Sequence, residues 1–255
     1  MSKKKRPGVP AAIRLASCQD VRLWERVEQQ YESIRSDKLL QAETNCPVSL
    51  DQTTHITKTQ LLDIVQWKFA VGKPRPQNMG LLHSNADSMV QECSQRAIQL
   101  ARKAEASQEE GQFTPDGLET IKASLKELTQ LKGVGPVTAT AVLCRVRPDM
   151  FAYMYDEVID CFEPKRDYTL PIYLRINAKC LELAHNNTLE GGWTAARVAK
   201  VLWIAAKVAA TDNLPDLTVD EATSAGNEKS KHRKAGKDTD TIMRQSRPKR
   251  RKTRK

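Results

Sequence analysis

Apolar residues recur every three or four positions along most of this chain, the spacing that places them on one face of an α-helix. Between residues 13 and about 36 the series runs Leu15, Val21, Trp24, Val27, Tyr31 and Ile34, with Ser17 or Asp20 available to cap its start. Residues 38–58 are mixed and loop-like, apart from a short helix at 38–43. Thr57 or Thr59 then opens a helix with Leu61, Leu62, Val65 and Phe69 on one face, closed by Gly72 and the prolines at 74 and 76. The next helix is predicted over 85–102, with Ala86, Met89, Val90, Cys93, Ala97, Ile98 and Ala101 inward. Thr114 before Pro115 pairs a cap with a proline at the first helical position, and Leu118, Ile121, Leu125 and Leu128 carry that helix forward. Pro136 opens another in the same way, and later helices are predicted near 157–162, 170–185 and 193–210.

No two segments alternate as paired strands, and alanine, leucine, lysine, glutamate and glutamine dominate the middle of the chain, so the fold class is all-α. At 255 residues the core needs no disulfide or metal staple. The six cysteines include no C-x-x-C pair and no partnering histidines, so no zinc site, iron–sulfur cluster or other cofactor is expected. His55, His83 and His185 stand alone and receive no role. No apolar run reaches the length of a membrane span, and the residues after MSKKKRPGVP lack the apolar core of a secretory signal. The expectation is a soluble intracellular monomer with no membrane partner.

Charge changes the picture once it is divided along the chain. The net +10 arises from +10 in residues 222–255 and +5 in residues 1–14, against −5 in residues 15–221. Three regions follow: a basic disordered tail at 1–12, a helical domain at 13–221 and a second basic disordered tail at 222–255. The run RPKRRKTRK, with Arg247, Lys249, Arg250, Arg251 and Lys252, reads as a signal for the nuclear-import machinery or as a nonspecific nucleic-acid tether. Residence in the nucleus is the expectation.

The stretch LKGVGPVTATAVL, residues 131–143, joins two predicted helices through a turn with two glycines. Gly133 and Gly135 are expected to supply positive φ and close backbone approach. The turn amides and the start of the second helix then face outward, where the helix dipole favours an anion such as a DNA phosphate. The bland alternative is a structural connection with glycine closing the first helix.

This hairpin resembles the helix-hairpin-helix motif of DNA-repair glycosylases, in which a Leu-x-Gly-Val-Gly turn precedes an alanine-rich helix. That family places an aspartate about twenty residues further on, and MYDEVIDCF supplies Asp156 there, with Glu157 one register away. The chain also looks like a eukaryotic branch with a W-K-x-x-x-G-K-x-R-P segment upstream, matched by WKFAVGKPRP at 67–76. The resemblance spans about 65–215. It implies a helix-hairpin-helix, DNA-glycosylase-like helical domain that binds duplex DNA by its backbone. Lys132, Gly133, Val134, Gly135 and Thr138 would contact phosphate, and Asp156 would serve base excision. Pro136 and Val137 stand where bifunctional members carry a nucleophilic lysine, so the implied enzyme is monofunctional and without lyase activity.

Lys68, Lys73 and Arg75 form either a basic patch on the DNA path or solvated charges, with Arg75 paired to an acid. Asp156 is either catalytic or an ordinary N-cap. Trp67 reads as a core residue, with a base-stacking platform as the alternative, and Tyr153 and Tyr155 read as packing residues that alternatively line a base pocket. Two other functions share the fold class: a catalytically inactive DNA or chromatin adaptor, and a helical protein-interaction domain whose tails alone touch DNA.

Overall fold

In the computed structural model, residues 8–105, 113–185 and 192–210 are described. Twelve α-helices and no extended β-sheet are found among them, as the periodicity requires. They are α1 (Val9–Ala16), α2 (Val21–Gln29), α3 (Tyr31–Ile34), α4 (Asp37–Asn45), α5 (Lys58–Val71), α6 (Gln77–His83), α7 (Asp87–Lys103), α8 (Pro115–Thr129), α9 (Pro136–Val146), α10 (Asp156–Phe162), α11 (Leu170–His185) and α12 (Ala195–Ala209).

The sequence signals are realised at several ends. Thr57 accepts from the Gln60 amide while the Gln60 side chain accepts from the Thr57 amide, a full capping box at the start of α5. Thr114 caps α8 through the Gly117 amide, with Pro115 in the first turn. The single series expected over 13–36 is three helices instead. Asp20 caps α2 through the Arg22 amide, and Gln30 divides α2 from α3. Ala86 and Met89, expected inward, are exposed at the start of α7.

The folded body also begins earlier than the boundary after residue 12, because Val9, Ala11 and Ala12 are buried in α1. Gly8 enters that helix at φ 85, and a Cβ there would lie 1.9 Å from the Ala206 carbonyl oxygen of α12. The chain passes so close to α12 that only glycine fits. Residues 222–255, with the import-like run, lie outside the described residues.

Two groups of helices share one core. The middle of the chain packs α7 against α8, α8 against α9, and α5 against both α4 and α9. The ends of the chain pack α1, α2, α10 and α11 around α12. Nearly every side of α12 is buried, and Trp24 of α2 meets Trp193 edge-on at 5.6 Å beside it.

The two groups are joined by residues 147–155, a turn at 148–150 followed by a non-helical run, in which Met150, Phe151, Ala152, Tyr153, Met154 and Tyr155 are all buried. Asn177 of α11, fully buried, donates to the Met150 carbonyl at 2.8 Å and accepts from the Ala152 amide at 2.7 Å. This amide pair satisfies backbone that has no ladder of its own, and it fixes the path that delivers Asp156 to the start of α10.

Candidate nucleic-acid interface

The turn between α8 and α9 is shaped by Gly133 and anchored by Val134. Gly133 has φ 78, the left-handed region where a Cβ is strained. Val134 donates its amide to Leu131 and buries its side chain, so it holds the turn to the core and offers no contact outward. Gly135 departs from the expectation for both glycines. Its φ of −103 is open to any residue, and no atom lies within 4 Å of where its Cβ would stand.

Lys132 is exposed, and its backbone is clamped on both sides by one residue. The Asn85 side-chain oxygen accepts from the Lys132 amide at 2.9 Å, and its nitrogen donates to the Lys132 carbonyl at 2.9 Å. Asn85 is itself buried, and its nitrogen also reaches the Leu82 carbonyl at the end of α6. The sequence carried no signal for this positioning role, because the partners are 47 residues apart.

The amides of Gly133, Gly135 and Val137 make no hydrogen bond to another described residue, and Pro136 has none to offer. They sit at the positive end of α9. These free donors are the physical basis of an anion site.

The turn forms one wall of a cleft of about 310 Å³. Gly133, Gly135, Pro136, Val137 and Thr138 line that wall. Lys68 of α5, Lys73 and Arg75 of the following loop, and Asp156 and Tyr168 line the cleft as well. Residues spread over 68–168 are thereby brought into one concave surface. Lys73 and Arg75 are exposed and have no carboxylate within ion-pair distance among the described residues. Arg75 lies over the Tyr168 ring, 5.6 Å from its centroid, so the alternative of an acid partner does not hold. Lys68 is half-buried, with its ammonium 4.9 Å from the Phe69 ring centroid. Burial and the neighbouring Arg75 guanidinium lower its amine from the ordinary lysine value, and Asp156 pulls it the other way.

Asp156 is the first residue of α10, but it is not a cap. Tyr155 occupies the cap position, and no side-chain cap bond is made there. The Asp156 carboxylate instead pairs with Arg166 through one oxygen and accepts from the Tyr168 hydroxyl at 3.0 Å through the other. Arg166 also reaches Asp160 through Nε at 2.7 Å. Burial and the Asp156 charge raise the Tyr168 phenol, so it remains a neutral donor. Glu157 lies elsewhere: it pairs with Lys207 of α12 at 2.7 Å and does not line the cleft. Of the two acids, only Asp156 lines the cleft.

Residues 120–145 match the helix-hairpin-helix motif. The match covers the later part of α8, the turn and nearly all of α9. Neither the curated proteins nor the solved structures yield a match to the chain. The helix-hairpin-helix match points to nucleic-acid binding, and the turn it identifies is the one that carries the free amides. No described helix is long and apolar enough to cross a membrane.

Proposed function

We propose that this is a nuclear duplex-DNA-binding protein with a glycosylase-like fold, and that its cleft excises a base as a monofunctional enzyme. The observation that carries the reading is the convergence of unbonded hairpin amides, the cations Lys68, Lys73 and Arg75, and the carboxylate of Asp156 on one cleft. A backbone phosphate seats on the amides of Gly133, Gly135 and Val137, with Lys73, Arg75 and the exposed Lys132 neutralising its neighbours. The target nucleotide is then turned out of the stack toward Asp156. The bond from C1′ to the base breaks, with its electron pair leaving on the base. The ionised carboxylate stabilises the cationic sugar, water completes C1′, and the proton released by that water neutralises the departing base. The basic tails, including Arg247–Lys252, add a nonspecific tether and serve nuclear import.

A second reading, a DNA adaptor with no chemistry, is favoured by one observation. Both oxygens of Asp156 are already engaged, by Arg166 and Tyr168. The readings separate when the protein is incubated with duplexes carrying a panel of damaged bases. The excision reading expects release of at least one base by the wild type and loss of that release in Asp156→Asn, with duplex affinity retained. No release from any duplex leaves the adaptor.

The cleft cations make their own prediction. Lys73→Gln and Arg75→Gln are each expected to weaken duplex binding across sequences. Each should also lower the slope of log affinity against log salt by about 0.9. A slope unchanged in both variants would remove those cations from the DNA path.

A further inference from the structure

A second cavity, of about 520 Å³, opens at the far end of α9. The hairpin cleft touches the first turn of that helix, whereas Cys144 and Arg145 of its last turn line this pocket. At 1.5 Å per residue, Val137 and Arg145 lie about 12 Å apart along the axis. Tyr153 is the one side chain that lines both. The volume falls within the roughly 300–1,000 Å³ usual for small-molecule sites.

Its walls are aromatic. Tyr31, Trp67, Tyr153, Tyr155 and Trp203 all line it. Tyr153 meets Trp67 at 4.9 Å and Tyr155 at 4.5 Å, and Tyr155 stacks on Trp203 at 5.2 Å. Such an enclosure usually invites a cationic ligand. Here one cation of the protein already lies over Trp67 and another over Tyr31. The Arg145 guanidinium lies 4.1 Å from the Trp67 centroid, and the Lys200 ammonium lies 4.0 Å from that of Tyr31.

The charge in the pocket is unbalanced. Arg35 pairs with Glu32 and Glu43, and Arg197 pairs with Glu28. Arg145 instead donates only to neutral groups, among them the Pro47 carbonyl at 3.0 Å and the Ala141 carbonyl. Neither Arg145 nor Lys200 has a carboxylate within ion-pair distance among the described residues. Two positive charges thus face an aromatic cavity with no counter-charge of their own. The complementary ligand has a planar ring to stack and an anionic group to meet them.

We propose that this pocket binds a nucleotide, its base among Tyr31, Trp67, Tyr153 and Trp203 and its phosphate against Lys200 and Arg145. The site is separate from the hairpin cleft and does not rest on the DNA-binding reading of that cleft. The ligand is either a free mononucleotide or the phosphorylated end of a single strand, which share this chemistry.

Tryptophan fluorescence of the full chain provides the test, because Trp67 and Trp203 line the pocket. The probes are a deoxynucleoside 5′-monophosphate, the same nucleoside without phosphate, and a short 5′-phosphorylated single strand. Saturable quenching by the monophosphate, at least tenfold weaker for the nucleoside, is expected for a free nucleotide. Saturation by the strand alone assigns the strand end. In either case Lys200→Glu and Tyr31→Leu should each weaken binding tenfold or more with the melting temperature held, whereas Arg75→Gln should leave it unchanged. No saturable quenching by either phosphorylated probe overturns the proposal. So does binding indifferent to Lys200→Glu, or tighter binding of a trimethyllysine peptide. Loss of duplex binding in Arg75→Gln with the pocket still occupied separates the fate of the cleft from that of the pocket.

Discussion

Gly133→Ala is expected to destabilise the protein by about 2–4 kcal/mol and to weaken duplex binding with it. The left-handed conformation at φ 78 costs an alanine roughly 1–2 kcal/mol relative to glycine. The new Cβ would also lie 3.1 Å from the Asn78 carbonyl oxygen, 3.1 Å from Leu82 Cγ and 3.2 Å from Leu81 Cβ. The first of these is backbone and cannot rotate away, so α6 must shift, at a cost of about 1–2 kcal/mol typical of overpacking. A urea melt reads the loss directly, and a thermal melt should fall by roughly 5–15 °C for a domain of this size. A midpoint within error of the wild type would mean that the turn does not have this geometry.

The second large effect falls on the acid. Arg166→Leu removes the guanidinium that joins Asp156 to Asp160 and leaves Asp156 with the Tyr168 hydroxyl. The side chains are 13 %, 23 % and 17 % exposed for Arg166, Asp156 and Asp160, so solvent screens the pair only in part. A loss of about 2 kcal/mol is expected, below the 3–5 kcal/mol of a fully buried pair. Arg166→Lys should recover only part of it, because an ammonium cannot bridge two carboxylates with the fork geometry of a guanidinium. If Arg166→Leu is neutral in chemical denaturation, the network does not hold α10 in place. Arg166 is a positioning residue, so any base release should fall in the same variant through the orientation of Asp156.

Much of this arrangement was legible in the sequence, and what was not has physical reasons. Local signals act within a turn or two of helix. Thr57 or Thr59, Thr114 with Pro115, and Pro136 after the glycines each declared a helix start, and the structure places the first at Thr57. Members of the cleft were singled out one by one: Lys68, Lys73 and Arg75 as one of two readings of their segment, the hairpin from its glycines, and Asp156 from what the family resemblance implies. Helix α6 was not legible. It has seven residues with Gly80 inside, begins after proline, and owes its order to the turn and Asn85 packed against it. The division of residues 13–36 was hidden because the apolar period continues through the breaks, which only the caps at Asp20 and Gln30 reveal.

The supporting polar residues were the least visible of all. Asn85, Asn177 and Arg166 act on partners 47, 25 and 10 residues away, through contacts that exist only once the chain has folded. A buried asparagine inside a helical pattern looks like a tolerated polar residue. Only the carbonyl and amide opposite it identify a clamp. The role of Gly135 was misread for a related reason. Two glycines in one turn look equivalent in sequence, yet one is required by its φ and the other is not.

That difference gives the most direct test of the central claim, that the hairpin amides hold a DNA phosphate. Gly135→Ala should change stability by no more than about 1 kcal/mol, since lower unfolded-state entropy and a weaker N-cap offset each other. Its Cβ would nevertheless stand in the space that a phosphate must enter. Amide ¹H–¹⁵N spectra of the full chain, titrated with a short duplex, read the turn separately from the tails. The account predicts saturable shifts of the Gly133, Gly135 and Val137 amides in the wild type and their loss in Gly135→Ala. Shifts confined to the basic tails, with the turn amides unmoved in both proteins, would contradict it.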